Sequence, residues 1–174
     1  LKSGNNLVGA RNWIPTEDQL ENFLIIAPKT RSISFIRRNG EPNSMIQLDE
    51  FKKAASEHGI TTVDLPVETP SDIAEELARR PATDALYLSC DTLAQSVEGE
   101  RVAISFAEKG TIPLFTCNET GVHNGGLMGT VADFYRIGKL SGEKAVLILS
   151  GATPNSLETD SVLRPSLFIN RDNA

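Results

Sequence analysis

The chain has 174 residues, of which 40% are hydrophobic and 23% charged, and its formal net charge is −6. This length and composition suit one globular domain with a sizeable core. The acidic balance argues against a nucleic-acid partner, which normally needs a basic face, and no window approaches the roughly 20 apolar residues that cross a bilayer.

The first residues, LKSGNNLVGA, contain neither an initiator Met nor a signal-peptide pattern. We therefore expect the chain to start inside a longer protein. Residues 5–24 predict a short β-like piece followed by a helix, and residues 161–174 predict a late strand after a proline. Both ends are expected to pair outside the central sheet.

Between these ends, short β-like runs alternate with helical patterns. The predicted strands are SISFIRR (32–38), TTVDLPV (61–67), ALYLS (85–89), PLFTC (113–117) and LMGTV (127–131). The predicted helices cover about 42–60, 69–80, 97–109 and 133–150. Repeated β-α units with short links predict an α/β fold: an open, doubly wound parallel sheet with helices on both faces. We expect the five strands to lie in the order 2-1-3-4-5.

Single residues add local detail to this scheme. Ser44 and Gln47 have the spacing of a capping box at the start of the first of these helices. Pro66 cannot donate to a ladder, which places its strand at an edge. Gly138 and Gly142 lie four residues apart on one face of the last helix, where we expect close packing against a neighbour.

Polar residues follow the strands at the edge where an open parallel sheet binds its ligands. The predicted ligand-binding residues are Asn43, Ser44, Asp91, Thr92, Asn118, Glu119, Thr120 and Asp133. Arg37 and Arg38 also follow the first full strand and would favour an anion, unless they face water. Several of these residues are good helix N-caps, so structural capping remains an alternative at each position.

The two cysteines each follow a predicted strand, Cys90 in ALYLSC and Cys117 in PLFTC. Burial as small hydrophobic residues is the favoured interpretation. A disulfide between neighbouring strands and a two-thiol catalytic pair are the alternatives. His58 and His123 lack a third ligand at suitable spacing, so we predict no metal site and no cofactor.

Taken together, the chain resembles the C-terminal lobe of ABC-transporter substrate-binding proteins of the tryptophan-binding-like or uncharacterised type, with a class I periplasmic-binding-protein fold. The resemblance is carried by RSISFIRRNGEPNSMIQLDEFKKAASEHGI, TDALYLSCDTLAQSVEG, the stretch from GTIPLFTCNET to ATPNSLETD, and LFIN. Asn43-Ser44, Asp91-Thr92, the cluster 118–120, and Tyr135 to Gly138 stand at the family's pattern positions. The RR of IRRN and both cysteines depart from that pattern.

This resemblance implies three segments. Residues 1–30 would form a hinge crossing and helix from a second lobe, 31–155 the ligand-binding lobe, and 156–174 a return crossing and strand. The resemblance implies a binding protein and not an enzyme. Such a protein holds a small polar ligand between two lobes, and an amino acid is the favoured ligand. It would act outside the cytoplasm and deliver the ligand to an ABC permease. These 174 residues alone should then bind ligand weakly or not at all. The alternatives are a sensory domain of a signalling protein and, more distantly, a two-cysteine amino-acid racemase. A homodimer through the terminal strands is also conceivable.

Overall fold

The structure is a computed structural model that describes residues 6–161 and 165–173. Its helices are α1 (Thr16–Ile26), α2 (Pro42–Glu57), α3 (Pro70–Arg79), α4 (Val97–Gly110), α5 (Glu119–His123) and α6 (Phe134–Leu149). Its strands are β1 (Ala10–Arg11), β2 (Ser32–Arg38), β3 (Thr61–Val67), β4 (Ala85–Leu88), β5 (Leu114–Thr116), β6 (Met128–Val131), β7 (Asp160–Ser161) and β8 (Ser166–Ile169). No helix among the described residues is long and apolar enough to cross a membrane.

The chain divides into two compact units. One unit combines Leu1–Ile14 with Val131–Ser166, and the other combines Pro15–Thr130 with Leu167–Ala174. The larger unit contains α1 to α5 and the main sheet, whereas the smaller contains β1, α6 and β7. These bounds place α6 with the terminal crossings, whereas the sequence-based division grouped it with residues 31–155.

The main sheet has six strands in the order β3-β2-β4-β5-β6-β8. The pairs from β3 to β6 are all parallel, so the predicted order 2-1-3-4-5 is confirmed. Pro66 lies in the edge strand β3, as its missing N–H requires. The prediction for the C-terminal end was wrong, because β8 extends this sheet beside β6 and the N–H of Asn170 donates to the carbonyl of Leu127 (2.9 Å).

Alternate strand residues supply two cores, one on each face of the sheet. The first face joins residues such as Phe35 and Tyr87 to apolar side chains of α1 and α2. The second face joins Ile36 and Leu88 to α3 and α4. Two-sided burial explains why β2 and β4 carry nearly continuous apolar runs, and it holds the carboxyl ends of the strands in one plane.

Three aromatic rings stack across neighbouring strands in the first core. The ring centroids of Phe35 and Tyr87 are 4.9 Å apart, and those of Tyr87 and Phe115 are 4.4 Å apart. Burial raises the pKa of the Tyr87 phenol, which remains a hydrogen-bond donor to Gln19 Oε1 at 2.7 Å. The same hydroxyl accepts a bond from Gln47 Nε2 at 3.0 Å.

Gln47 therefore does not cap α2, and the predicted capping box with Ser44 is wrong. The helix begins at Pro42 with Glu41 as its N-cap residue and no side-chain cap bond. Gln47 is instead buried against the sheet, because its amide satisfies the Tyr87 hydroxyl and accepts the backbone N–H of Cys90 at 2.8 Å. One glutamine thus ties α2 to the carboxyl end of β4.

The smaller unit has a two-stranded parallel sheet of β1 and β7, so the N-terminal β-like piece pairs outside the main sheet, as predicted. The nearly buried Lys144 of α6 forms an ion pair with Asp160 (2.8 Å) and donates to the carbonyl of Glu158. The packing predicted for Gly138 and Gly142 is absent among the described residues, since a Cβ at either position would meet nothing within 4 Å. The predicted proline crossing falls partly on residues 162–164, which lie outside the described residues.

Candidate functional site

Polar turns follow β2, β4 and β5 at one edge of the sheet. These strands are central or next to central, and they are parallel, so their carboxyl ends meet at the same edge. Such an edge, with loops and helix N-termini converging on it, is where open α/β sheets bind ligands. The turn after β2 enters α2, the turn after β4 leads to α4, and the turn after β5 enters α5.

A charged and hydroxyl cluster joins the turns after β2 and β4. Arg38 Nη1 donates to Thr92 Oγ1 at 2.8 Å, and the Thr92 hydroxyl donates to Glu41 Oε2 at 2.7 Å. Arg38 Nη1 and Glu41 Oε2 are 3.9 Å apart. Half of the Arg38 side chain is exposed, whereas 16% of the Glu41 side chain is, so this cluster presents mainly a positive group to solvent at the carboxyl edge of the sheet.

The buried Asp91 carboxylate holds the backbone of both turns in place. Only 3% of the residue is exposed, and its carboxylate accepts the backbone N–H groups of Arg38 (2.6 Å), Leu93 (2.9 Å) and Ala94 (2.7 Å). The hydroxyl of Ser89 donates to it as well. Asp91 thus holds the turns after β2 and β4 in place, but it does not cap a helix, because the N-cap residue of α4 is Ser96. A direct ligand contact by Asp91 stays a prediction.

The neighbouring Arg37 has a different role from Arg38. It is buried, and its Nε and Nη2 donate to Asp64 Oδ1 at 2.8 Å and Oδ2 at 3.0 Å. This bidentate pair links β2 to the edge strand β3. It uses the Nε and Nη2 atoms of Arg37, which are the pair of donors that would otherwise bind a ligand carboxylate. Of the two predicted anion-binding arginines, only Arg38 remains open to solvent.

A second polar cluster lies where β5 meets α4 and α5. Asn118 caps α5 by accepting the N–H of Gly121 at 2.6 Å, and its amide donates to Gln95 Oε1 at 2.8 Å and to Glu100. Gln95 in turn donates to the carbonyl of Ser89 at 3.2 Å. The cluster therefore joins the turn after β4 to the turn after β5.

Glu100 is the buried acid of this second cluster, with 4% of its surface exposed. Burial raises the pKa of the Glu100 carboxyl, and the hydrogen bond from Asn118 opposes that rise. The folded state then holds the proton more tightly than the unfolded state. Its contribution to stability is present at pH values below the ordinary pKa of 4.5 and is lost as the pH rises through the folded pKa.

The substitution Glu100→Gln should therefore raise the melting temperature at neutral pH and leave it unchanged well below pH 4.5. The neutral amide keeps an oxygen for the Asn118 N–H and removes the cost of a buried charge. Thermal unfolding from pH 3 to pH 8 measures this. Glu98→Gln is the matched control, because Glu98 lies in the same helical turn but is exposed. Equal pH profiles for the two variants would contradict the prediction.

The two cysteines form a disulfide, with their Cα atoms 5.5 Å apart. Their interpretation as free buried hydrophobes was therefore wrong, and the neighbouring-strand alternative is the one the structure adopts. The parallel pairing of β4 with β5 brings the two strand ends to the separation that a disulfide needs. Cys90 is exposed and Cys117 is partly buried, so the bond lies at the ligand edge.

The remaining predicted site residues differ in position. Asn43 is exposed in the first turn of α2, and Ser44 is buried and donates to the carbonyls of Arg38 and Glu41. Glu119 and Thr120 are exposed at the start of α5. Asp133 caps α6 by accepting the N–H of Arg136 at 2.9 Å, and it belongs to the smaller unit. The larger unit thus gathers all the predicted residues except Asp133 on the turns of one sheet edge.

Sequence reasoning missed two members of the clusters, Gln95 and Glu100. Both follow β4 by several residues, and Glu100 falls inside α4, where a charged residue is ordinarily assigned to the solvated face. Glu41 also follows β2 but is not among the predicted site residues. Its position one residue before a helix-initiating proline is the signal that places it in this turn.

Two cavities among the described residues lie away from this edge. One cavity of about 430 Å³ is lined by Pro113, Leu127 and Asn173 together with residues from the end of α4. Pro113 precedes β5, which puts the cavity at the amino end of the strands. Within residues 6–161 and 165–173, no group of three His, Cys, Asp or Glu side chains is placed to hold a metal ion.

Fold and site together define an open parallel α/β unit with polar residues gathered at the carboxyl edge of its sheet. A family model described as ABC transporter substrate binding protein matches residues 1–174. The chain belongs to this family, and the resemblance drawn from its sequence motifs is confirmed.

Individual relatives agree with this membership. A tyrosine-binding protein of Clostridioides difficile is 25% identical over 172 residues, which are 98% of this chain and 49% of that protein. A crystal structure of a conserved domain protein from Vibrio cholerae has a TM-score of 0.83 at 25% identity, covering 98% of this chain and 57% of that one. An ABC domain from Streptococcus pneumoniae, solved with L-Trp, has a TM-score of 0.80 at 24% identity, covering 95% and 56%. The chain therefore spans about half the length of these relatives.

Proposed function

We propose that these residues form one wall of a solute-binding site in an ABC-type uptake system, and that the solute is an amino acid. The carrying observation is the pair of polar clusters at the carboxyl ends of β2, β4 and β5. An amino acid suits a wall that exposes both a guanidinium and a carboxylate. The relative named for tyrosine binding supports this choice.

In the proposed site, exposed side chains contact the solute and buried ones hold them in place. The proposed contacts are Asn43, Thr92, Glu119 and Thr120, with the partly buried Asn118 between them. Ser44 and Asp91 act mainly on the turn geometry, through their bonds to backbone groups. A role for Asp133 remains a prediction.

The partner that receives the solute is, in this proposal, an ABC permease, and the protein acts outside the cytoplasm. Disulfides form and persist mainly in oxidising compartments, so the Cys90–Cys117 bond supports an extracytoplasmic location. A homodimer through the terminal strands remains a prediction. The described terminal strands have partners within the chain, since β1 pairs with β7 and β8 lies beside β6.

A binding role is favoured over catalysis by the state of the two sulfur atoms. A two-thiol racemase needs free thiols on opposite sides of its substrate, but here both sulfurs are consumed in one disulfide between adjacent strands. A sensory role would use the same fold and the same edge. The sensory and transport roles differ only in the output of ligand binding. A signalling domain fused to these residues would indicate the sensory role, and a permease encoded beside them would indicate transport.

Calorimetric titration of the intact protein that contains these residues tests the proposed function. L-Tyrosine, the other common L-amino acids and a neutral sugar such as D-allose are the probes. We expect saturable binding of at least one amino acid, and weaker or no binding by the 174 residues alone. If the intact, folded protein binds none of these solutes, the proposed function is wrong.

A further inference from the structure

Two consecutive arginines end β2, and only Arg37 has a carboxylate against both its Nε and Nη2 atoms. Arg37 directs its Nε and Nη2 atoms at the two oxygens of Asp64, at 2.8 and 3.0 Å. This paired arrangement is how a guanidinium recognises a carboxylate most strongly. The pair shows, one residue from the candidate site, the geometry that a carboxylate adopts on this type of side chain.

Arg38 has the same edge, but no described residue occupies it. Its Nη1 donates to Thr92 Oγ1 at 2.8 Å, whereas its Nε and Nη2 donate to nothing among residues 6–161 and 165–173. The Thr92 hydroxyl is itself held by Glu41 at 2.7 Å, so the guanidinium is oriented from one side only. The side chain is 51% exposed, so solvent reaches it, and the Nε and Nη2 atoms have no hydrogen-bond acceptor among the described residues.

From this contrast we propose that Arg38 is the residue that selects the ligand's charge, by binding a ligand carboxylate through its Nε and Nη2 edge. The inference rests on the proposed function and adds the chemical class of the solute. A carboxylate-bearing amino acid satisfies the free edge, whereas a neutral sugar leaves a charged group without its matching partner.

Glu41 narrows the chemical class of the proposed ligand further. Its carboxylate lies 3.9 Å from Arg38 Nη1 and only 16% of its side chain is exposed, so a negative charge already contacts the guanidinium that would bind the anion, on the Nη1 side rather than at the Nε–Nη2 edge. A ligand that carries only a negative charge is repelled by it, whereas the ammonium of an amino acid is attracted. Asp91, the other acid nearby, is engaged by four donors. The cluster therefore favours a zwitterion over a simple anion.

The test compares ligands and variants in the intact protein. L-Tyrosine, L-tyrosinamide and 3-(4-hydroxyphenyl)propionate carry, respectively, both charges, the ammonium alone and the carboxylate alone. Wild type should bind L-tyrosine most tightly. Arg38→Gln should lower the affinity for L-tyrosine by roughly ten- to hundredfold, the worth of a charge-assisted pair, and should leave the affinity for tyrosinamide nearly unchanged. If another amino acid is the tighter ligand, that amino acid and its amide replace this pair.

Arg79→Gln is the matched control, because Arg79 is also exposed and paired three residues away with a glutamate, at the far end of α3. It should leave every affinity unchanged. Arg38→Lys keeps the charge without the paired edge and should give an intermediate loss. Thermal unfolding of each variant separates a folding defect from a binding defect.

Three results would overturn the inference. One is equal affinity of the wild type for L-tyrosine and tyrosinamide, and another is full amino-acid affinity in a folded Arg38→Gln variant. A third is binding of D-allose with no binding of any amino acid, which leaves the solute-binding role intact. If no solute binds at all, the proposed function fails together with this inference.

Discussion

Replacing both cysteines by serine should lower the free energy of unfolding by about 3–4 kcal/mol and the melting temperature by roughly 10 °C. The disulfide closes a loop between two cysteines that are 27 positions apart in the sequence, and removing it restores conformational freedom to the unfolded chain. It also frees the turns after β4 and β5, which carry the two polar clusters. Thermal and urea unfolding followed by circular dichroism measure the loss.

Reduction supplies the internal control for this prediction. A thiol reductant should lower the melting temperature of the wild type to that of the double variant and should not affect the variant itself. A reductant that leaves the wild-type transition unchanged, while mass spectrometry shows two free thiols, would contradict it. Single variants are less informative, because each leaves one reactive thiol.

The second large effect is expected from Asp91→Ala, which should destabilise the protein by about 3 kcal/mol or more. The substitution leaves three backbone N–H groups and the Ser89 hydroxyl without their acceptor, and each such group costs about 1–3 kcal/mol where water cannot replace the bond. The loss should appear as a lower urea midpoint. Solute affinity should fall as well, since the N–H of Arg38 is one of the released donors.

Asp133→Ala provides the comparison, because Asp133 caps α6 with a single bond to the N–H of Arg136. An ordinary N-cap is worth about 1 kcal/mol, so this variant should lose much less. Asp91→Asn should fall between the two alanine variants, because one amide oxygen can still accept the N–H groups of Leu93 and Ala94. If Asp91→Ala and Asp133→Ala lower the free energy of unfolding by the same amount, the prediction of a larger structural role for Asp91 is wrong.

The parallel sheet could be predicted from the sequence because its strands are buried on both faces. Two-sided burial produces short apolar runs in the sequence, separated by segments with helical periodicity. Because crossovers between parallel strands are short and right-handed, few strand orders then remain possible. β8 was misplaced because a single strand near a chain end has no following helix to indicate its neighbour. The capping box failed because Gln47 satisfies a partner 40 positions away, Tyr87, which local spacing does not reveal.

The sequence was enough to predict where on the sheet the candidate site lies. It was less informative about which side chains are free to contact a ligand. Polar residues after strands mark the edge, so position alone was enough to predict Asn43, Thr92 and Asn118 as candidates. The same positions favour helix caps, and only hydrogen-bond partners separate the two roles. Arg37 and Arg38 are adjacent in the sequence and have the same chemistry, yet only Arg37 has a carboxylate, that of Asp64, against both its Nε and Nη2 atoms.

By itself, therefore, the sequence determined the α/β class, the order of the five central strands and the edge at which polar residues gather. These follow from burial patterns and chain connectivity, which are local or nearly local properties. Only the tertiary structure decided that Cys90 and Cys117 are bonded, that Glu100 is buried, and that Arg38 retains an unoccupied edge. Each of these depends on which residues from distant segments meet, and the meeting is set by strand register and helix packing.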